Sequence, residues 1–251
     1  MNLTRRNFLK LSVASLIGGF IPKVASAFGT ASLFQMTTLV YPGAWDKRKG
    51  AQSRISWEVM KRTSVESSLD ISEIELSSPH LFKHPFLYMS GDSAFSEWPQ
   101  ENCERLRRFL QYGGFLFIDG NPDLAGGFDK SVRREMARVF PDLSFKTIAK
   151  DHTLFKSFYL LDGRWGRLQK KTFVEGISKD GRTMVVYSQN DVGGAWMRDN
   201  FGNWLLPVVP GGEAQREMAF RFGVNLAMYS LCTNYKGDQV HIPFIMRRRR
   251  R

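Results

Sequence analysis

Two short runs, His84-Pro85-Phe86-Leu87-Tyr88-Met89-Ser90-Gly91 and Phe115-Leu116-Phe117-Ile118-Asp119-Gly120, decide the fold of this chain. Each is continuously apolar for four residues and stops at glycine. A strand buried on both faces reads this way, because neither face alternates with polar residues. Between them, Cys103, Leu106, Phe109 and Leu110 recur at three-and-four spacing, the stripe of an amphipathic helix. Ser96 stands as a candidate N-cap, Glu97 suits the positive end of the dipole, and Pro99 suits a first turn. Gly113 supplies the left-handed stop. Near-continuous apolar strands joined through a helix predict parallel pairing.

Outward from this unit the alternation continues. Phe34–Tyr41 reads as a strand closed by Pro42-Gly43, and residues 53–63 as a short helix. Residues 69–76 alternate only roughly. Phe128–Phe140 reads as a helix stopped by Pro141. Thr183–Tyr187 reads as a strand in a hairpin through Asp180-Gly181. Ala214–Leu231 carries the longest helical pattern, with Asn225 on its apolar side, where a structural hydrogen bond is expected. The expectation is an α/β fold, a three-layer sandwich around a mostly parallel sheet. Residues 28–246 are read as one domain with an irregular insertion or lid near 151–176.

The chain has 251 residues and a formal net charge of +12. Residues 1–27 contribute +4 and Arg247–Arg251 contribute +5, which leaves +3 on the body. The excess is therefore terminal, and a nucleic-acid partner is not expected. Residues 1–27 have the layout of an export signal: Arg5-Arg6-Asn7-Phe8-Leu9-Lys10, an apolar stretch from Leu11 to Ile21, then Ala25-Ser26-Ala27. The paired arginines resemble a twin-arginine (Tat) signal, which makes the Tat translocase a partner. The expected product is periplasmic or exported, and soluble after cleavage following Ala27. The arginine tail is read either as a solvated terminus or as a contact for an anionic membrane surface. Cys103 and Cys232 fall within helical patterns and are expected to be unpaired.

Ligands of open parallel sheets bind beyond the carboxyl ends of the strands. Asp92, Asp119 and Asp191 fall there by counting, and Asn121 and Asn190 beside them. Such carboxylates could act in acid–base catalysis or bind a cation. Each also has an ordinary role open to it, closing a turn or capping the next helix. Gly91, Gly120 and Gly193 at the same edge allow close approach of backbone to a ligand. His152, beside Asp151, is a further catalytic candidate. Arg133, Arg134 and Glu135 read either as contacts for an anion or as a solvated helix face. No metal-ligand spacing, phosphate-binding glycine fingerprint or serine elbow occurs, so no metal site is read and the cofactor is left unknown.

The segments LFKHPFLYMSG, RLRRFLQYGGFLFID, RREMARVFPD, DHTLFKSFY and GRTMVVYSQNDVGGAW, in that order, resemble the bacterial domain of unknown function 4159. The resemblance runs from about Phe34 to the tail. It implies a flavodoxin-like fold similar to class I glutamine amidotransferases. Those enzymes carry a cysteine nucleophile on a turn after a strand. The resemblance puts the corresponding turn at Ile118-Asp119-Gly120-Asn121 and implies a cysteine just after it in some relatives; this chain has Asn121 and Pro122. Neither residue can serve as that nucleophile. The expected function is an exported, non-catalytic small-molecule-binding or envelope-associated module. The alternative is a carboxylate- or metal-dependent hydrolase with its site at the strand ends.

Overall fold

The two apolar runs lie side by side at the centre of one sheet, paired in parallel from Phe86↔Phe115 to Gly91↔Gly120. The computed structural model describes residues 33–248 other than 122, 124 and 164. The leader, residues 1–27, and the last three arginines of the tail lie outside the described residues. The strands are β1 (Met36–Val40), β2 (Glu73–Glu75), β3 (Phe86–Gly91), β4 (Phe115–Gly120), β5 (Lys146–Thr147), β6 (Glu175–Lys179) and β7 (Arg182–Ser188). The helices are α1 (Ala51–Arg62), α2 (Gln100–Gln111), α3 (Gly127–Val139), α4 (Val192–Trp196) and α5 (Gly212–Arg248).

The sheet order is β2-β1-β3-β4-β7-β6-β5. The first five strands in that order are mutually parallel. Only the β5–β6 and β6–β7 pairs are antiparallel. The β6–β7 hairpin turns through Asp180 and Gly181, both at positive φ, as a two-residue hairpin turn requires.

Side chains alternate between the two faces of the sheet and feed two cores. Phe86, Tyr88, Phe115, Phe117 and Val186 pack with Ile55 and Val59 of α1, Trp196 of α4, and Phe222 and Leu226 of α5. Leu87, Met89, Leu116, Ile118 and Val185 pack on the other face with Cys103, Leu106 and Phe109 of α2 and Val132 and Met136 of α3. The expected three layers follow: two helices, sheet, three helices.

Several boundaries differ from expectation. α2 starts four residues after Ser96, behind Pro99. The intervening segment is extended because Phe95 and Trp98 are buried and the Trp98 backbone N–H donates to the Glu135 carboxylate. β2 is only three residues long, since Leu69 and Ile71 are exposed and burial begins at Ile74. α4 was not anticipated; Gly193-Gly194 argue against a helix, and tertiary packing overrides them. The irregular stretch near 151–176 is pinned rather than free. Asn225, fully buried on α5, accepts the Tyr159 N–H at 2.8 Å and donates to the carbonyls of Leu154 and Tyr159, both at 2.9 Å. Both cysteines are free.

Candidate functional site

The carboxyl ends of β3, β4 and β7 bring Asp92, Asp119 and Asp191 to one edge of the sheet, but not into one open cluster. Asp119 sits on β4 opposite Ser188 of β7 and is fully buried. Its Oδ1 accepts the Val192 N–H at 2.8 Å. Its Oδ2 accepts the Gly193 N–H at 2.7 Å and the Tyr88 hydroxyl at 2.9 Å. Gly193 is obligatory: a Cβ there would stand 2.1 Å from the Tyr88 oxygen and 3.1 Å from Asp119 Oδ2. Burial, then the neighbouring Asp191 charge, push the Asp119 carboxyl up to about 7, while its hydrogen bonds oppose the rise. Burial and the Asp119 charge push the Tyr88 phenol well above its usual range.

Asp191 is the N-cap of α4, at φ 52°, and its Oδ1 accepts the Gly194 N–H at 3.2 Å. It is also fully buried, and two arginines grip it. Arg48, from the loop after β1, donates through Nε to Oδ1 at 2.7 Å and through Nη2 to Oδ2 at 2.8 Å. Arg167, from the irregular stretch, donates through Nε to Oδ2. Burial works against the Arg48 charge, but Asp191 outweighs it and holds the guanidinium above its ordinary value. A fork-to-fork guanidinium–carboxylate pair is the strong form of such a contact.

The same loop junction is tied again through Asn190. Its amide exchanges hydrogen bonds with the Lys171 backbone, at 2.9 Å to the N–H and 2.8 Å to the carbonyl. The Arg167 N–H reaches the Asp191 carbonyl at 3.1 Å, and the Asp191 N–H reaches the Gly120 carbonyl at 3.1 Å. Asn190, Asp191 and Asp119 therefore form a latch that locks residues 166–171, α4 and the end of β4 together. Asp92 stands apart from this latch and pairs with Lys47 at 3.5 Å on the surface.

His152 is not part of this edge. Its Nδ1 accepts the Leu154 N–H at 3.1 Å and its Nε2 lies 3.2 Å from Thr183 Oγ1, at the start of β7. Asp191 follows the opposite end of that strand, so His152 stands apart from the strand-end aspartates by the length of β7. Burial holds the imidazole below its usual range. A cavity of about 890 Å³ opens near it, lined by Lys156, Lys179, Arg182, Tyr229 and Cys232 among others. Arg182 is already engaged there, donating to the carbonyls of Gly113 and Gly114. Arg133 and Arg134 are likewise spent internally, on Glu175 and on the buried Glu135. Gly91 is closed by packing, since a Cβ would meet Phe128 at 2.2 Å.

Among the described residues, a cavity opens at the carboxyl edge beside β1. It measures about 350 Å³ and is lined by Tyr41, Pro42, Glu75, Trp98, Pro99 and Asn102 among others. Trp98 is buried, and its indole N–H has no partner. Deeper along the same edge the Asn121 side-chain amide and the Ser90 hydroxyl, both buried, also lack partners. Sequence reasoning picked out Asn121 but missed Trp98, Arg48 and Arg167. A buried aspartate requires a cation, and the Lys47-Arg48-Lys49 run directly after β1 was the readable signal for one of the two.

Neither cysteine follows a strand. Cys103 lies inside α2 beside Glu135, and burial pushes its thiol up, the reverse of what a nucleophile needs. Among the described residues no group of three or more His, Cys, Asp or Glu is placed to hold a metal ion. A family model described as Domain of unknown function (DUF4159) matches residues 35–231. A search of curated proteins found no match.

Proposed function

We propose that this chain, which belongs to the DUF4159 family, is an exported module that binds a small molecule without transforming it. The observation that carries the reading is the cavity between the segments that follow β1, β2 and β3, with Trp98 on its wall and the buried indole N–H of that residue without a partner behind it. Counted in chain order, the five parallel strands run 2-1-3-4-5, the flavodoxin-like order. In that order the chain reverses direction between β1 and β3, which is where doubly wound sheets take their ligands. The cavity borders this point, and its volume is at the small end of the range for small-molecule sites. The absence of a cysteine after β4 speaks against a glutamine amidotransferase mechanism. Export rests on the twin-arginine leader.

One observation favours the hydrolase alternative. A carboxyl held near 7, as on Asp119, is suited to general acid–base work. Both its oxygens are occupied by internal donors, which weighs against it.

Trp98→Phe separates binding from packing. It removes a buried donor that has no partner, and because it also leaves a gap where the larger ring stacks on Phe95, a thermal melt of the free variant sets the packing loss apart from the loss of ligand. Native mass spectrometry of the protein purified from the periplasm is expected to show a bound small molecule, lost or depleted in the variant. An adduct-free protein, or an adduct untouched by Trp98→Phe, overturns the reading.

A further inference from the structure

The cavity of about 890 Å³ lies at the amino end of β7, the far end of the sheet from the strand-end loops. Its size falls within the range of small-molecule sites. Four segments meet on its wall: the turn from His152 to Ser157, the β6–β7 hairpin, the end of α2 at Gln111, and α5 at Tyr229 and Cys232. Their charges do not cancel. Lys156, Lys179 and Arg182 stand against one lining acid, Asp180, so three cations less one acid leave +2. With Asp151 counted in, exposed beside His152, the sum is still positive.

Arg182 is the informative member. It is half-buried, and burial pulls its guanidinium below the ordinary value. Arg54 is pulled down in the same way, but Arg54 has Glu58 as a counter-ion. Arg182 has carbonyls alone. Its Nη1 donates to Gly113 and Gly114 at 3.3 and 3.0 Å, and its Nη2 to Leu110. These carbonyls close the end of α2 and hold the fork in place. Among the described residues nothing accepts its Nε–H, and no carboxylate pairs with Arg182, Lys156 or Lys179. A desolvated charge without a counter-charge is costly, and an anion entering the cavity removes that cost. His152 adds no charge of its own. Its Nδ1 accepts the Leu154 N–H, so the proton of the neutral ring sits on Nε2 and is donated to Thr183 Oγ1. Its ring lies 5.5 Å from that of Tyr229, and with Met184 they give the cavity an apolar side.

We propose that this cavity binds a small phosphate monoester with an apolar body. The guanidinium fork is committed to carbonyls, so the planar two-point grip that suits a carboxylate is not on offer. What is on offer is two lysine point charges and a single N–H. That set suits a group with nearly two negative charges and acceptor oxygens on several sides. The rings of His152 and Tyr229, with Met184, take the body of the ester. The length of the strands separates this site from the cavity beside β1, and the two proposals stand independently.

Cys232 reports occupancy, because its exposed thiol is on the cavity wall while Cys103 is buried. In the full chain, phenyl phosphate is expected to slow the alkylation of Cys232 by iodoacetamide in a saturable way. Benzoate, which carries one charge, and inorganic phosphate, which has no apolar body, are each expected to need about tenfold higher concentration. Lys156→Gln/Lys179→Gln is expected to raise the half-protecting concentration of phenyl phosphate about tenfold. Both lysines are exposed, so the melting temperature should not move. Lys130→Gln/Lys170→Gln removes two equally exposed charges elsewhere and is expected to change nothing. Arg247→Gln through Arg251→Gln, which takes away the tail as a competing anion site, is expected to leave the protection intact. Alkylation that phenyl phosphate does not slow, equal protection by benzoate or inorganic phosphate, equal losses in the two lysine pairs, or protection that vanishes with the tail charges overturns the proposal.

Discussion

Asp191→Ala is the sharpest probe of the latch at the strand ends. The substitution removes a carboxylate that is fully buried and leaves two guanidiniums behind it, with the Arg48 and Arg167 side chains only 12% and 13% exposed. Breaking a buried ion pair from one side costs about 3–5 kcal/mol, because the remaining charge is left uncompensated. The slight access of both arginines to water places the estimate near the lower end, and loss of the α4 cap adds about 1 kcal/mol. For a domain of this size each kcal/mol moves the melting temperature by about 2–4 °C, so for about 4 kcal/mol a fall of roughly 8–16 °C is expected. Urea unfolding should show a lower midpoint with the slope unchanged, since the native surface is otherwise the same. Asp191→Asn keeps a residue type that tolerates positive φ and isolates the charge. It should recover only a minor part of the loss. Replacing Arg48, Arg167 and Asp191 together by apolar residues should recover more, as the stranded charges are then gone. A loss below about 1 kcal/mol for Asp191→Ala would refute the argument that the pair is buried and load-sharing.

Further expectations follow from the same geometry. Asp119 holds its proton up to about pH 7 when folded, against about 4 when unfolded; the native state then binds the extra proton between those values, so stability declines as pH rises through that window. Asp119→Asn should flatten this slope in chemical denaturation at a series of pH values, while costing about 1–3 kcal/mol overall because an amide nitrogen would face the Val192 or Gly193 N–H. Gly193→Ala should destabilise by about 1–3 kcal/mol through overpacking against Tyr88, and thermal melts of the Gly193→Ala/Tyr88→Phe pair should show a loss smaller than the sum of the two. Asn225→Ala leaves the Tyr159 N–H and carbonyl without their side-chain partner and the Leu154 carbonyl with the weaker Ser157 hydroxyl contact at 3.3 Å, a loss of about 1–3 kcal/mol, and should raise proteolysis within that segment first.

The layered architecture was legible because it rests on period and run length. The continuous apolar runs at 86–89 and 115–118 could belong only to central strands, and the stripe through Cys103 and Phe109 could only face a core. The site was less legible, because counting places residues along a strand and says nothing about what faces them. Asp119 and Asp191 were correctly sent to the same edge. That they are gripped by Tyr88, Arg48 and Arg167 depends on loops whose paths are set by tertiary contacts. His152 could not be placed by counting at all: its loop returns to the amino end of β7, and nothing local in Asp151-His152 records the direction of return. α4 was hidden by its two glycines, whose low helix propensity is overridden by the need to bring Gly193 against Tyr88.

The flanks of the sheet carry a consequence for behaviour at high concentration. At one margin stand three residues, Glu73-Ile74-Glu75, with both glutamates turned to water; at the other stand two, Lys146-Thr147, also in water. Unsatisfied backbone along a sheet margin is a template on which a second chain can add, and brevity and charge are the usual defences. Both are present here, so pairing of two copies through the same glutamate margin is opposed by like charge as well as by the shortness of the template. Trading Glu73 and Glu75 for valines would lengthen the sticky margin without touching the interior, and turbidity rather than melting temperature is where the damage should surface.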